Sequence, residues 1–461
     1  MGTTPLSATG RLLDGLVVVL RSDCPTCSMV GDVVQSLAQA RHDVTIVAQD
    51  QLDLPAGVEV IDDTSLELSW SHDVETVPTL LRLSAGTEVD RTVGWDRDEW
   101  ERVSGVIGLG PGLPPHRPGC GSLSVDPVRA AELRARFAGD GLRSRRVELA
   151  SAEDEHEALF DLGWTDGLPV VPPTVERVGR MLDGTSRTPD DVVAVVGPDL
   201  VEATVEKVAI NAVLAGCRPE YLPVVLAGVE AVCNDTFNIH GVLATTMSVG
   251  PVLVVNGPIA RRIGMNSGVN VLGQGTRANL TIGRAVQLVV RNIGGGRPGE
   301  VDRATLGNPG KLAFCFAEAE DSSPWESLAA ERGVPATRSA VTAFCGEGPR
   351  VVVDQLSRTP ESLARSFAVA LRTVAHPTVA MAFDAMLVVS PEHGARFRDA
   401  GWSKARLRDE LGELLLLDGD ELVRGAGGIA EGLPQAVAGA RIPKFRPGGL
   451  LIVHAGGGAG L

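Results

Sequence analysis

Apolar positions in the first quarter of the chain alternate between the spacing of strands and the spacing of helices. Short apolar runs and two-residue alternation indicate strands, and three-to-four-residue spacing indicates helices. Strands and helices that follow one another in this way predict a mixed sheet with helices on both faces, an α/β domain over residues 13–112. The predicted strands are residues 16–20, 43–48, 76–83 and 88–93, and the main predicted helices are residues 27–40 and 96–107.

Two cysteines stand where the first predicted strand leads into the first helix, in the sequence Cys24-Pro25-Thr26-Cys27. Thiols at this spacing can form a reversible disulfide, and the partial positive charge at a helix start favours the thiolate of Cys24. A CxxC pair is also half of a zinc site, but the sequence has no second pair at zinc-knuckle spacing. The motif therefore predicts redox chemistry, and we expect neither a metal nor a resident cofactor.

This CxxC turn, the segment Val77-Pro78-Thr79 about fifty residues later and the hairpin before the final helix together resemble the thioredoxin family. The resemblance covers residues 13–112. It implies that Cys24 is the attacking thiol, that Cys27 is the buried resolving thiol, and that Pro78 is a cis-proline facing both sulfurs. The chain departs from the common pattern at Asp23, where the family usually has tryptophan, and Pro-Thr replaces Gly-Pro between the cysteines. Because a carboxylate beside Cys24 opposes its ionisation, the redox potential is not carried over.

Residues 113–150 are rich in proline, glycine and arginine, a composition that breaks regular structure. We expect a flexible linker here, with Cys120 exposed on it just after the redox domain. Cys120 is then either a third catalytic thiol, which exchanges with Cys24 or carries a sulfur group to the next domain, or an incidental cysteine of a surface loop. Because cysteine is seldom left exposed in linkers, both interpretations stay open.

The remaining residues, 151–461, alternate apolar strands with helices and predict a larger α/β domain. Two of its segments, residues 252–267 and 386–404, each run from an apolar strand through a short helix into a polar turn. Their likeness predicts two pseudo-symmetric lobes with a pocket between them. The sequence given stops after a strand and a glycine turn, so we expect either a closing tail or completion by a homo-oligomer or a partner chain. The region resembles only uncharacterised bacterial proteins with a thioredoxin-like module, which implies no activity.

Several polar residues of the larger domain stand where ligands are often bound. Asp166 lies in a loop stiffened by three prolines, and His240, beside a glycine near a strand, is the predicted general acid–base catalyst. A glycine- and amide-rich loop that opens a helix favours an anion, and a carboxylate follows the carboxyl end of a strand. The alternatives are a simple helix entry for Asp166 and a histidine held by a structural hydrogen bond for His240. The residues predicted to bind substrate are Asp166, Asn266, Ser267, Arg277 and Glu318.

The amino-acid composition limits which partners and which cellular location we expect for the protein. The 461 residues are 44% hydrophobic and 22% charged, as in globular proteins, and the formal charge of −16 disfavours binding to nucleic acid or anionic membranes. The sequence has no apolar stretch of the roughly 18–20 residues that a membrane helix needs, and its start lacks the pattern of a secretory signal. Seven cysteines are too sparse for a disulfide scaffold, so we expect a reducing, cytoplasmic location. Only four of the 42 basic residues are lysine, which together with abundant alanine, glycine and valine suggests a bacterial source.

These observations predict a thiol–disulfide redox enzyme in two parts. The CxxC module would exchange electrons through a mixed disulfide, with Cys120 as a third thiol, and the larger domain would bind a small anionic substrate. A redox protein is a further expected partner. One alternative is a sulfur-transfer enzyme, in which a cysteine persulfide is passed on and the CxxC pair regenerates the thiol. Another is a noncatalytic binding or assembly protein whose redox domain only docks a partner.

Overall fold

The computed structural model describes residues 14–52, 59–84, 87–126, 142–145, 154–424 and 431–458, with a few single positions between 127 and 153. The chain divides into two compact units, Met1–Gly141 and Leu142–Leu461, and each is described by itself. Helices and strands are mixed in both units, and the sheets contain parallel and antiparallel pairs, which confirms the α/β class.

The first unit is built on a five-stranded sheet in the order β3-β2-β1-β5-β6. β1 pairs in parallel with β2, and β2 with β3, whereas β5 is antiparallel to both β1 and β6. The strands are β1 (Gly15–Leu20), β2 (Val44–Ala48), β3 (Glu59–Asp62), β4 (Thr76–Val77), β5 (Thr79–Ser84), β6 (Thr87–Val93), β7 (Trp95–Asp96), β8 (His116–Arg117) and β9 (Cys120–Gly121). The helices are α1 (Pro25–Met29), α2 (Gly31–Ala40), α3 (Glu67–Ser71) and α4 (Arg97–Ser104), with a 3₁₀ turn at Leu123–Val125.

The central strand β1 is buried on both faces, which explains why its sequence is apolar without alternation. Helix α4 lies within the predicted residues 96–107 but ends earlier than predicted: Asp96 caps its first turn, and Gly105 ends it in a left-handed conformation. Trp95 and Trp100 pack edge to face beneath this helix, and both are fully buried. Local sequence signals and the packed core therefore agree in this unit.

The segment after the predicted domain end differs from the expected linker. Two-residue strand β8 pairs with β7, and β9 pairs with β4, so residues 116–121 lie on the body of the first unit. The side-chain N–H of Trp95 donates to the Pro114 carbonyl at 2.6 Å, which holds the approach to this segment. Proline and glycine do exclude a helix here, but they still allow short pairings with the free edges of neighbouring strands. The prediction of a flexible linker is wrong for these residues.

The second unit contains two main sheets, one of β13-β12-β14 and one of β15-β18, and two smaller strand pairs, β10-β11 and β16-β17. Its strands are β10 (Val192–Val196), β11 (Val201–Thr204), β12 (Gly250–Asn256), β13 (Cys315–Ala317), β14 (Ala340–Gly346), β15 (Ala385–Val389), β16 (Leu416–Asp418), β17 (Arg441–Pro443) and β18 (Leu450–His454). β12 and β13 are parallel, as are β15 and β18.

The helices of the second unit are interspersed with these strands along the chain. They are α5 (Glu155–Asp161), α6 (Val175–Leu182), α7 (Val205–Ala215), α8 (Leu222–Cys233), α9 (Ile239–Ala244), α10 (Pro258–Arg262), α11 (Arg277–Asn292), α12 (Leu328–Glu331), α13 (Pro360–Arg372), α14 (Pro391–Asp399), α15 (Lys404–Leu414) and α16 (Gly419–Leu422). Short 3₁₀ turns occur at Pro219–Tyr221, Pro309–Lys311 and Gln435–Val437. Across the described ranges, no helix combines the length and the apolar character needed to cross a membrane.

Three cores show how the second unit is layered. Leu253 and Val255 of β12 face a core shared with α7, α8 and α11, whereas Val252 and Val254 face the opposite side. There they pack with residues of β18, so the two main sheets share an apolar interior. The far side of β15 and β18 packs on α13, α14 and α15. The layers of the second unit therefore follow one another as helices, the β13-β12-β14 sheet, the β15-β18 sheet and a second set of helices. The two-lobed repeat stays a prediction.

Candidate functional site

The CxxC motif lies on the turn from β1 into α1. Cys24 is the residue that caps α1, and its sulfur accepts a hydrogen bond from the Cys27 backbone N–H at 3.4 Å. Pro25 follows at the first helical position, where a missing N–H costs nothing. Cys24 has 0% of its surface exposed and Cys27 has 4%, so both sulfurs lie inside the unit.

The Val77–Pro78 peptide bond is cis and lies beside this turn. The Cys24 thiol donates to the Val77 carbonyl at 3.5 Å, which places the segment before Pro78 against the first sulfur. The role of Pro78 that the thioredoxin resemblance implies stays a prediction. Asp23, which the sequence suggested would oppose ionisation of Cys24, is largely exposed and forms an ion pair with Arg21.

Cys120 belongs to the same cluster. In the β4–β9 pair it stands directly opposite Val77, the residue whose carbonyl accepts from the Cys24 thiol. The surrounding backbone is anchored by Thr26 Oγ1, which donates to the Pro118 carbonyl at 2.8 Å, and by Arg21 Nη1, which donates to the Gly121 carbonyl at 2.7 Å. The structure thus brings together three thiols that are free cysteines, Cys24, Cys27 and Cys120.

The three thiols differ in their readiness to ionise. Burial acts to raise the pKa of Cys24, but hydrogen bonds from Cys120 and from Cys27 outweigh it, and the net pKa is lowered. Burial, with a smaller effect from the nearby Cys24, raises the pKa of Cys27. The hydrogen bond to Cys24, followed by burial, raises the pKa of Cys120. The arrangement favours one thiolate, on Cys24, flanked by two protonated thiols.

Cysteines of the second unit lack this arrangement. Burial raises the pKa of Cys217 to about 12 and the pKa values of Cys233 and Cys345 to about 11, and it also raises the pKa of Cys315. Thiols that stay protonated in apolar surroundings are poor nucleophiles. In the described residues, no group of three or more histidine, cysteine or acidic side chains has the arrangement of a metal site.

Asp166 is engaged in an ion pair within the second unit. Arg284 of α11 donates to both of its carboxylate oxygens, Nε at 2.8 Å and Nη2 at 2.7 Å, and Nη2 also reaches the carbonyls of Leu168 and Pro169. Both side chains are mostly buried. The pair holds the proline-rich loop on α11, which gives Asp166 a structural partner that the sequence analysis did not identify.

Glu318 follows the carboxyl end of β13 as predicted, although the strand begins at Cys315 rather than at the expected residue 311. It is buried, and it accepts hydrogen bonds from Asn256 Nδ2 and the Leu328 N–H, each at 2.7 Å, and from the His454 N–H at 3.4 Å. Burial raises the pKa of Glu318. The carboxylate therefore connects the ends of β12, β13 and β18.

The other predicted residues of the second unit do not meet at one place. Asn266 folds back on its own loop, accepting from the Gly268 N–H and donating to the Val269 carbonyl, and Arg277 donates to the Gly216 carbonyl. His240 is exposed on α9. Within the described residues, the second unit contains a cavity that is lined by none of His240, Asn266, Ser267, Arg277 and Glu318.

That cavity has a volume of about 1510 Å³ and extends from the apolar interior between the two main sheets of the second unit. It is bordered by β12, β14 and β15 and by glycine-containing loops such as residues 269–273 and 456–458. Its polar lining includes Asn270, His393 and the Arg446–Asp384 ion pair, and two further arginines, Arg332 and Arg350, also border it. Six of the ten phenylalanines of the chain line it, namely Phe237, Phe314, Phe316, Phe344, Phe367 and Phe383.

The sequence analysis expected a pocket between two lobes built on residues 252–267 and 386–404, and this cavity is lined by Val252 and Met386, which belong to these two segments. Outside these two segments, the sequence analysis named none of the residues that line it. Which residues leave a gap between the sheets depends on how distant strands pack. No protein-family model matches the chain, and no curated protein matches it.

Proposed function

We propose that the first unit is a thioredoxin-like module that exchanges thiols and disulfides through Cys24 and Cys27. The observation that carries the proposal is the placement of Cys24 at the start of α1, where its sulfur accepts from the Cys27 N–H beside Val77 and Cys120, and the lowered pKa of Cys24 agrees with it. The strand order β3-β2-β1-β5-β6, the CxxC turn and the contact of Val77 with the Cys24 sulfur support the same assignment.

The chemistry follows from these ionisation states. In the reducing direction, the Cys24 thiolate attacks a disulfide sulfur, the disulfide breaks, and a mixed disulfide with Cys24 forms. Cys27 then loses its proton and attacks the Cys24 sulfur, which releases the second product thiol and leaves a Cys24–Cys27 disulfide. Two electrons pass from the pair to the substrate, and an external dithiol reductant restores the pair.

We propose that the second unit binds a small molecule in the cavity between its sheets. The lining is mostly apolar, and the volume exceeds the roughly 300–1,000 Å³ of typical ligand pockets. This favours a ligand with a large apolar part, and Arg332 and Arg350 on the border can pair with an anionic group of that ligand. Asn266 and Arg277, which the sequence analysis assigned to an anion, are engaged in contacts of their own. A solvatochromic apolar dye is a suitable probe of the cavity.

The redox proposal is tested with the full chain and a disulfide substrate such as insulin, in the presence of dithiothreitol. The Cys24→Ser variant should lose reductase activity by about a hundredfold or more, because the hydroxyl is not a nucleophile at neutral pH. Cys233→Ser is the matched control, since it removes a half-buried thiol of the second unit. Equal activity in the two variants would overturn the redox function and favour a module that only docks a partner.

The cavity proposal is tested by filling the space. Met386 of β15 lines the cavity, and Met386→Trp should weaken binding of the dye by about tenfold, a change of ~1.4 kcal/mol, because the indole occupies the site. Val369 of α13 is largely exposed and lies outside the lining, so Val369→Trp serves as the control. Unchanged dye binding by Met386→Trp would place the dye elsewhere.

A further inference from the structure

The three clustered thiols differ in how far they can be reached from solvent. Cys24 is fully buried and Cys27 almost so, whereas Cys120 is half-buried. Of the three residues, Cys120 is therefore the one that a disulfide partner can reach first. The segment that carries it is hydrogen-bonded to the CxxC turn on both sides of Cys24, through Arg21 and Thr26.

That segment, residues 116–121, is here called the strap. It is held at both of its short strands, β8 on β7 and β9 on β4. At Gly119 the backbone approaches so closely that a Cβ atom would lie 2.5 Å from the Val77 carbonyl oxygen. The Gly94 N–H donates to the Pro78 carbonyl at 2.7 Å, and the same residue abuts the strap at Gly119. These contacts fix the Cys120 sulfur beside Cys24.

Such fixed placement differs from the sulfur shuttle expected on a flexible linker. A thiol that carries sulfur to another domain has to move away from the thiol that loaded it. Cys120 is instead held opposite Val77, the residue whose carbonyl accepts from the Cys24 thiol. The geometry instead suits direct exchange between the two sulfurs inside the unit.

We propose that Cys120 is a catalytic residue that receives the external disulfide and then acts as the internal substrate of Cys24. The inference rests on the proposed function, because it needs the CxxC pair as reductant. In this scheme a Cys24–Cys120 disulfide always forms after Cys120 has reacted with the external disulfide and before the Cys24–Cys27 disulfide appears.

The steps balance as three exchanges. Cys120 loses its proton to solvent and attacks a small disulfide R–S–S–R, so that one RS⁻ leaves and Cys120–S–S–R forms. The Cys24 thiolate attacks the Cys120 sulfur, the second RS⁻ leaves, and the Cys24–Cys120 disulfide forms. Cys27 loses its proton and attacks the Cys24 sulfur, which releases Cys120 as a thiolate. The net result is two RSH and one Cys24–Cys27 disulfide.

The test uses the reduced full chain, oxidised glutathione as the disulfide, rapid acid quenching and mass mapping of the cysteine peptides. In the native sequence, glutathione should appear first on Cys120. Cys27→Ser should accumulate the Cys24–Cys120 disulfide, because its resolving thiol is missing. Cys120→Ser should form the Cys24–Cys27 disulfide about tenfold more slowly or worse, whereas Cys233→Ser should match the native rate.

The pH profile supplies a readout that a purely structural role would not move. The native initial rate should keep rising through the raised pKa of Cys120, whereas direct attack by Cys24 would level off at a lower pH. Glutathione found first on Cys24, with a native rate in Cys120→Ser, would overturn the inference and leave the proposed function standing. No disulfide at Cys24 in any of these proteins would overturn both.

Discussion

Gly119 offers the sharpest perturbation of the strap. A Cβ atom at this position would lie 2.5 Å from both the Val77 carbonyl oxygen and Thr76 Cγ2. In Gly119→Ala the backbone of the strap therefore has to move away from the backbone at Val77. Gly121, two residues along the same strap, has open space: an added Cβ there meets nothing within 4 Å. Gly121→Ala is therefore a matched control for the loss of glycine in this segment.

The size of the effect follows from the cost of overpacking. Forcing extra atoms into a well-packed site typically costs about 1–3 kcal/mol. If that cost destabilises only the state with the strap in place, the fraction of molecules with a detached strap rises by about 5- to 150-fold, the change in equilibrium that about 1–3 kcal/mol produces. Cys24, which has no exposed surface when the strap is closed, becomes accessible in proportion.

Alkylation of the native full chain by iodoacetamide measures this opening when modification is followed at Cys24 alone. Rates are compared on the plateau of each protein's own pH profile, so that a change in the pKa of Cys24 does not enter. Gly119→Ala should raise the Cys24 rate by the stated factor, and Gly121→Ala should leave it near native. Equal rates in the two variants would refute the reasoning that the strap covers Cys24.

Two further changes test the charges identified above. Cys120→Ala should raise the pKa of Cys24, because it removes a hydrogen-bond donor to the sulfur. Cys120→Ser keeps a donor and is the control. The absorbance of the thiolate, followed against pH, measures the pKa of Cys24 in both variants. Asp166→Asn should lower the free energy of unfolding by about 3 kcal/mol at neutral pH, because the mostly buried Arg284 loses its charge partner. Denaturant unfolding measures this, with the exposed Asp321→Asn expected to cost under about 1 kcal/mol.

The Asp166 effect also has a predicted pH dependence. Burial by itself raises the pKa of this carboxyl, but the Arg284 ion pair outweighs it and the net pKa is lowered. A carboxyl whose pKa is lowered on folding stabilises the protein above its unfolded value of about 3.9, and that stability is lost as the pH falls through the folded value. The gap between native and Asp166→Asn should therefore be constant near neutrality and close in acid. A gap that widened on acidification would contradict this account.

Several features were predictable because they depend on neighbours in the sequence. The apolar run before Cys24 predicts β1, and Asp96 and Gly105 mark the ends of α4. The CxxC spacing places Cys27 where its N–H reaches the Cys24 sulfur, which needs only one helical turn. In each case a few consecutive residues decide the backbone, so the pattern along the chain is sufficient.

Other features were decided by contacts between distant residues. Two-residue strands such as β8 and β9 are too short to show a period, so the strap was expected to be a linker, yet Thr26 and Pro118 meet across 92 residues. Asp166 and Arg284 meet across 118 residues, and the cavity depends on how two sheets face each other.

The sequence by itself therefore determined the α/β elements and the CxxC turn, because their geometry is local. Only the tertiary structure decided that Cys120 lies on Cys24. A side chain's partner across a sheet is set by strand pairing and register, which no short stretch of residues encodes.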